Sequence, residues 1–287
     1  MHIQPFYDPG TATISYVVSD PATGQCAIID PVLDYDPASG TTATASADRI
    51  VAHVQASGLS VAWLLETHIH ADHLTAAAYL QQRLGGKTGI GARIAEVLEH
   101  WIPVFNTAND TPADGSQFDH LFADGEAFTI GALTARVMHT PGHTPACVSY
   151  IIGDAVFVGD TIFMPYMGTS RTDFPGGDAA TLYRSIRSIL ALPDATRLFT
   201  GHDYPPEGGE PAWQSSVAEQ KETNILIHEN VSEARYIEMR HERDRRLDVP
   251  RLLLPSIQVN LRAGALGDPE DNGRQYIKIP LNLFGHP

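Results

Sequence analysis

An α/β fold is what this sequence predicts, and three features predict it. Short β-prone runs recur along the chain, bounded by Gly, Asp and Pro. Amphipathic stretches with helical spacing lie between them. Several strand ends carry His or Asp, which a rigid sheet can hold in fixed positions.

The chain has 287 residues, is 43% hydrophobic and 18% charged, and shows no flexible interdomain linker. No apolar run approaches the roughly 20 residues of a membrane span. A formal net charge of -15 argues against non-specific nucleic-acid binding, which needs clustered Lys and Arg. The run Arg240 to Arg246 is a local exception with a basic excess, readable as a solvated helix face or as an anion site. Cys26 and Cys147 are too few for a disulfide framework and no secretory signal precedes them, so a reducing, cytoplasmic setting is expected.

Ile14 to Val18 and Cys26 to Ile29, joined through Asp20-Pro21-Ala22-Thr23-Gly24, give a hairpin signal that Asp30-Pro31 ends. Asp34 to Ser46 reads as a Ser/Thr/Gly/Pro-rich surface loop, and Ala47 to Ser57 as an amphipathic helix stopped at Gly58. The strand Val61 to Leu65 follows, then helices over 74–84 and 94–101 and a polar, irregular stretch over 105–120. From Ala127 the pattern is β again, over 127–130, 133–138, 148–152 and 155–158, as a mostly meandering sheet. A helix over 179–190 has Leu182, Ile186 and Ile189 inward, and two more are expected over 211–227 and 231–247. The short apolar runs 252–259 and 276–280 are expected to pack back onto the body.

Thr67-His68-Ile69-His70-Ala71-Asp72-His73 ends the strand Val61 to Leu65. In extended chain His68 and His70 would point the same way, and Asp72 and His73 would fall where the next helix begins. Three imidazoles and a carboxylate at one strand-to-helix junction read as a metal site, against the plainer reading of Asp72 as a helix cap among loop histidines. One short loop cannot surround an ion, so further ligands are needed. His143 in Thr140-Pro141-Gly142-His143-Thr144, Asp160 in Gly159-Asp160-Thr161 and His202 in Gly201-His202-Asp203-Tyr204 each follow a strand and supply them. Cys147 and His139 lie close by. A buried small thiol and a packing or orienting imidazole are the better readings of these two.

Together these motifs resemble the metallo-β-lactamase superfamily, from about Thr13 to Tyr204. The resemblance implies an αββα sandwich with metals at the strand ends, and a single domain over 1–287 with a less familiar C-terminal extension from about 205. On the superfamily pattern His68, His70 and His143 make one metal position, Asp72, His73 and His202 the other, and Asp160 bridges them. With Arg171-Thr172-Asp173-Phe174 added, the sequence is similar to the persulfide dioxygenase branch, related to glyoxalase II.

That branch implies one Fe(II) per chain, held by His68, His143 and Asp160, with His70, Asp72, His73 and His202 as a second position or as orienting groups. Two His and one carboxylate leave coordination positions for a thiolate and O2, and zinc as a substitute would lack the redox chemistry. The implied reaction takes glutathione persulfide, O2 and water to sulfite and glutathione, and a homodimer is expected. For the carboxylates of the glutathione tail Arg171 is the first candidate, its alternative being a structural pair with Asp173. Arg251 and Lys278 are further candidates. Tyr204 either donates a hydrogen bond to ligand or packs.

A binuclear thioester hydrolase resembling glyoxalase II fills the same seven positions and is the closest alternative. Diiron flavoprotein reductases resemble H-x-E-x-D-H at the first motif, where this chain has His70. A non-catalytic metal-binding module need not retain the whole ligand set.

Overall fold

The structure, a computed structural model, describes residues 1–205 and 209–283. In chain order the first strands are β1 (His2–Asp8), β2 (Thr13–Ser19), β3 (Gln25–Ile29), β4 (Val32–Asp36) and β5 (Thr41–Ala43), followed by α1 (Ala45–Ala56) and β6 (Ser60–Leu65). Then come β7 (Leu74–Thr75), α2 (Ala77–Leu84), β8 (Lys87–Gly91), α3 (Ile94–Phe105) and β9 (His120–Phe122). The second half runs β10 (Ala127–Ile130), β11 (Leu133–His139), β12 (Val148–Ile152), β13 (Ala155–Gly159), α4 (Ala179–Leu190), β14 (Arg197–Thr200) and β15 (Gln214–Ser216). Three helices end the described chain: α5 (Val217–Thr223), α6 (Glu233–Asp244) and α7 (Leu253–Asn260).

Side-chain alternation along these strands sets the layers. In β2, Ile14, Tyr16 and Val18 face one way while Val17 faces the other. The first set meets Phe128, Val137, Tyr150 and Phe157 from the second half, so the sheet β1-β2-β3-β6-β8-β9 packs face to face on the sheet β10-β11-β12-β13-β14-β15. Val17, Ile28 and Leu64 on the outer face of the first sheet are covered by Ile50, Val51 and Val54 of α1 and Leu80 of α2. Val156, Val158 and Leu198 on the outer face of the second are covered by Leu182, Ile186 and Ile189 of α4 and Tyr236 of α6. The result is helix, sheet, sheet, helix, as the resemblance implied.

The meander is present: β10 to β13 pair antiparallel in sequence, and within that sheet β13 and β14 alone pair parallel, whereas β3, β6, β8 and β9 of the first sheet run parallel. Five expectations need correction. The stretch read as a loop over 34–46 holds the hairpin β4–β5, whose second strand is fully exposed and so lacks the apolar alternation that marks a strand. The helix expected from Leu74 begins at Ala77, because Leu74 and Thr75 instead pair with Leu33 and Val32. The stretch 211–227 divides into β15 and α5, with the Ser216 hydroxyl capping the helix by accepting from the Glu219 amide at 3.1 Å. The helix expected over 231–247 is shorter, starting after the cap Ser232 and ending at Asp244. The run 252–259 forms the buried helix α7, whereas 276–280 is irregular with Ile279 63% exposed.

Candidate metal centre

The seven expected ligands converge at the ends of β6, β11, β13 and β14. They fall into two groups, each with its ligand atoms within 4.8 Å of one another: His68, His143 and Asp160 in one, His70, Asp72, His73 and His202 in the other. The His68 and His143 Nε2 atoms lie 3.9 and 3.8 Å from Asp160 Oδ2, while Asp160 Oδ1 lies 3.5 Å from His202 Nε2. Asp160 therefore stands between the groups. His70 groups with Asp72, His73 and His202 and not with His68, the neighbour strand alternation suggested, because β6 ends at Leu65 before the motif; the superfamily pattern would have joined it to His68 and His143.

Each imidazole is fixed through its remote nitrogen. Thr67 donates its hydroxyl to Asp30 Oδ2 at 2.8 Å, so its oxygen is left to accept from His68 Nδ1–H at 3.0 Å. His143 Nδ1–H donates to the Arg171 carbonyl at 2.8 Å. His73 Nδ1 lies 3.3 Å from both Asp72 Oδ2 and Thr13 Oγ1. His70 Nε2–H donates to Asp30 at 3.0 Å and lies 3.3 Å from Glu66, turning Nδ1 toward the centre. These bonds select the tautomers that leave a lone pair on each inward nitrogen.

Those inward atoms have no hydrogen-bond partner. Among the described residues nine buried side-chain N or O atoms are unpaired, and five are here: His68 Nε2, His70 Nδ1, His73 Nε2, His202 Nε2 and Asp160 Oδ1. Buried unpaired atoms cost about 1–3 kcal/mol each, so their convergence marks a place built for a cation, and imidazole with carboxylate suits a transition metal. Burial, reinforced by His70 and His143, holds the His68 pKa well below the usual value, and burial with His70 lowers that of His73, so both are neutral donors. Burial also opposes protonation of His202, but Asp72 and Asp160 outweigh it and raise its pKa.

Backbone geometry holds the loops to this arrangement. Asp30 ends β3 in the left-handed region (φ 49°), strain of about 1–3 kcal/mol that places its carboxylate under both Thr67 and His70. Gly159, also left-handed at φ 49°, lies against Thr67, and a Cβ there would come within 2.4 Å of Thr67 Oγ1.

A cavity of about 360 Å³ opens onto the centre, bordered by Asp72, His143 and Asp160 at one end and by Phe163, Met167, Phe174 and Leu247 along its sides. Arg171 borders it too, stacked 4.8 Å over Phe174, but its guanidinium is committed to both Asp173 oxygens at 2.6 and 2.7 Å and to the Asp248 carbonyl. The structural pairing that the sequence left open is thus present. Tyr204 borders the cavity and its ring stacks on His202 at 6.0 Å. Arg251 is not brought there; it lines a separate groove with Tyr35 and Tyr276. Nor is Lys278, whose ammonium bonds the Asn106 carbonyl at the end of α3. His139 donates its Nε2–H to the Phe122 carbonyl at 3.2 Å, outside both groups. Cys147 is buried beside Thr144, and burial pushes its thiol up to about 12.

The C-terminal segment supplies braces that sequence reasoning missed. Asn260 of α7 donates to the carbonyls of His70 and His73 at 2.9 and 2.8 Å and accepts from the Thr75 amide at 2.7 Å. Asp244 of α6 accepts from both the amide and the hydroxyl of Thr172 and pairs with buried Arg240, which donates to the Thr169 carbonyl. Asp30 was legible by the criterion that found Asp160, a carboxylate directly after an apolar strand.

The metallo-beta-lactamase superfamily model matches residues 8–202, which holds all seven ligand positions. The chain belongs to that superfamily. A probable metallo-hydrolase of Burkholderia pseudomallei is 53% identical over 99% of this chain and all of its own length. Glyoxylase B2 of Dictyostelium discoideum is 49% identical over 98% of this chain and 97% of its own. The mitochondrial persulfide dioxygenase ETHE1 of Bos taurus is 29% identical over 70% of this chain and 68% of its own. The chain spans only 64% of a beta-lactamase hydrolase-like protein of Xylella fastidiosa that it matches at 54% identity. Among solved structures, ETHE1 from Myxococcus xanthus superposes with a TM-score of 0.74 at 28% identity, covering 92% of this chain and 100% of that one. As a member of this superfamily the chain is a metal-binding enzyme, and no helix among the described residues is long and apolar enough to cross a membrane.

Proposed function

We propose that the chain is a persulfide dioxygenase with one Fe(II) held by His68, His143 and Asp160, converting glutathione persulfide, O2 and water to glutathione and sulfite. The observation that carries this reading is which group meets the cavity. His143 and Asp160 of the first group border it, whereas of the second group only Asp72 does. A set of two imidazoles and one carboxylate, with one imidazole and the carboxylate on the cavity, suits a mononuclear centre with open positions. Iron bound there would supply the electron transfer between sulfur and O2 that zinc cannot.

The chain's own residues do the rest. The Arg171 carbonyl holds His143 with Nε2 inward, and the Thr67 hydroxyl, steadied by Asp30, does the same for His68. Phe163, Met167, Phe174 and Leu247 give the persulfide stem an apolar wall that excludes water. The four electrons that take the terminal sulfur to sulfite are those that reduce O2, and water supplies the third oxygen. Likeness to the persulfide dioxygenase ETHE1 of Bos taurus and to ETHE1 from Myxococcus xanthus supports this reading.

A binuclear thioester hydrolase is the second reading. The full second group and the hydrolase names of relatives near 50% identity favour it. Oxygen uptake and sulfite release with glutathione persulfide on anaerobically iron-loaded protein, set against hydrolysis of S-lactoylglutathione, separate the two. Two tightly held metals per chain with hydrolysis that ignores O2 would overturn the dioxygenase.

A further inference from the structure

Three guanidinium groups border the cavity, Arg171, Arg240 and Arg243. Two are spent. Arg171 is held in a fork by Asp173, and Arg240, buried, is held by Asp244 and the Thr169 carbonyl. Arg243, one turn along α6 from Arg240, makes no ion pair and its side chain no hydrogen bond among the described residues. Exposed where it borders the cavity, it has partial burial and the neighbouring Arg240 lowering its pKa and Asp244 opposing them, and that carboxylate is already bonded to Arg240 and Thr172. In a chain of net charge -15, an unpaired cation on a cavity wall stands out. The floor of the same cavity carries Asp160 and Asp72, so the cavity is polarised from a carboxylate-lined metal centre to a guanidinium.

We propose that Arg243 selects carboxylate-bearing substrates for this cavity, forming a charge-assisted fork with a terminal carboxylate whose sulfur end lies at the metal centre. The assignment rests on the proposed glutathione chemistry, but the carboxylate belongs to the peptide tail and is the same whether the sulfur carries a persulfide or a thioester. Guanidinium geometry favours a bidentate carboxylate, and such bonds contribute enough to shift affinity roughly ten-fold to a hundred-fold. The basic run 240–246 therefore divides by position: Arg240 faces inward as a brace, Arg243 faces the cavity, and Arg246 pairs with Glu242 on the exposed surface.

The test is calorimetric binding of unreactive S-methylglutathione to the iron-loaded protein under anaerobic conditions. Arg243→Gln should weaken binding roughly ten-fold or more, and Arg243→Lys should fall between, keeping the charge but losing the fork. Arg235→Gln, an equal charge change on the same helix at a residue paired with Glu238 outside the cavity, should bind like the parent protein. The dimethyl ester of S-methylglutathione should bind the parent and Arg243→Gln equally. Equal binding of S-methylglutathione by the parent and Arg243→Gln, or none by the parent, overturns the proposal. Oxygen uptake with glutathione persulfide is read separately: if it is absent while Arg243→Gln still weakens binding, the dioxygenase reading fails and the role of Arg243 stands.

Discussion

At the ends of β6, β11, β13 and β14 buried polar atoms are left unpaired, whereas Arg240 and Asp244 of α6 and Asn260 of α7 have their polar groups paired. His68 Nε2 and Asp160 Oδ1 belong to the first kind; Asn260, Arg240 and Asp244 belong to the second. Both regions are largely buried, so the same burial destabilises one and steadies the other. The C-terminal helices help the ligand loops hold a costly, open constellation by clamping their backbones, His70 and His73 from Asn260 and Thr172 from Asp244. Function and stability are thus placed in different stretches of chain.

The strongest way to break that contrast is to remove ligands. His143→Ala or Asp160→Ala should abolish iron content and sulfite formation, while metal-free unfolding in urea shifts less than for a brace variant. His70→Ala, Asp72→Ala, His73→Ala and His202→Ala should retain iron with about 10-fold to 100-fold losses. Equal metal loss across all of them would show that the second group owns a metal outright.

Next in size, Asp244→Ala should leave Arg240 as a buried unpaired charge, costing about 3–5 kcal/mol in urea unfolding. An unchanged midpoint would remove the distinction between brace and ligand. Asn260→Ala strands two carbonyls and the Thr75 amide, and should lower iron affinity about 10-fold to 100-fold, read by competition with a chelator. The smallest effect is expected at Cys147. With its thiol pushed up to about 12 by burial, it should resist iodoacetamide at neutral pH in the folded protein, as should Cys26, and Cys147→Ala should keep turnover. Rapid labelling at Cys147 with loss of activity would bring it into the site.

The same contrast explains what could be read from sequence. Ligand positions are legible because His and Asp directly after apolar strands are a local pattern. Asn260 is not legible, since its partner His70 lies 190 residues away and nothing near Asn260 hints at it. Arg240 and Arg243 look alike in a run of charges, and only the packing of α6 against residues 169–173 separates a buried brace from a cavity cation. The strand β8 was obscured by its own glycines. A Cβ at Gly91 would lie 2.6 Å from the Ala146 carbonyl, so close packing and not turn chemistry requires glycine there.

The division of ligands between the two sheets also orders events during synthesis. His68, His70, Asp72 and His73 emerge with the first sheet, but His143, Asp160 and His202 follow later, the last about 130 positions after His73. At about 5–20 residues per second the early histidines wait roughly 6–26 seconds for their partners. A nascent chain stopped before β10 has the first sheet's four ligands and none from the second, so loading with metal is deferred until both sheets have docked.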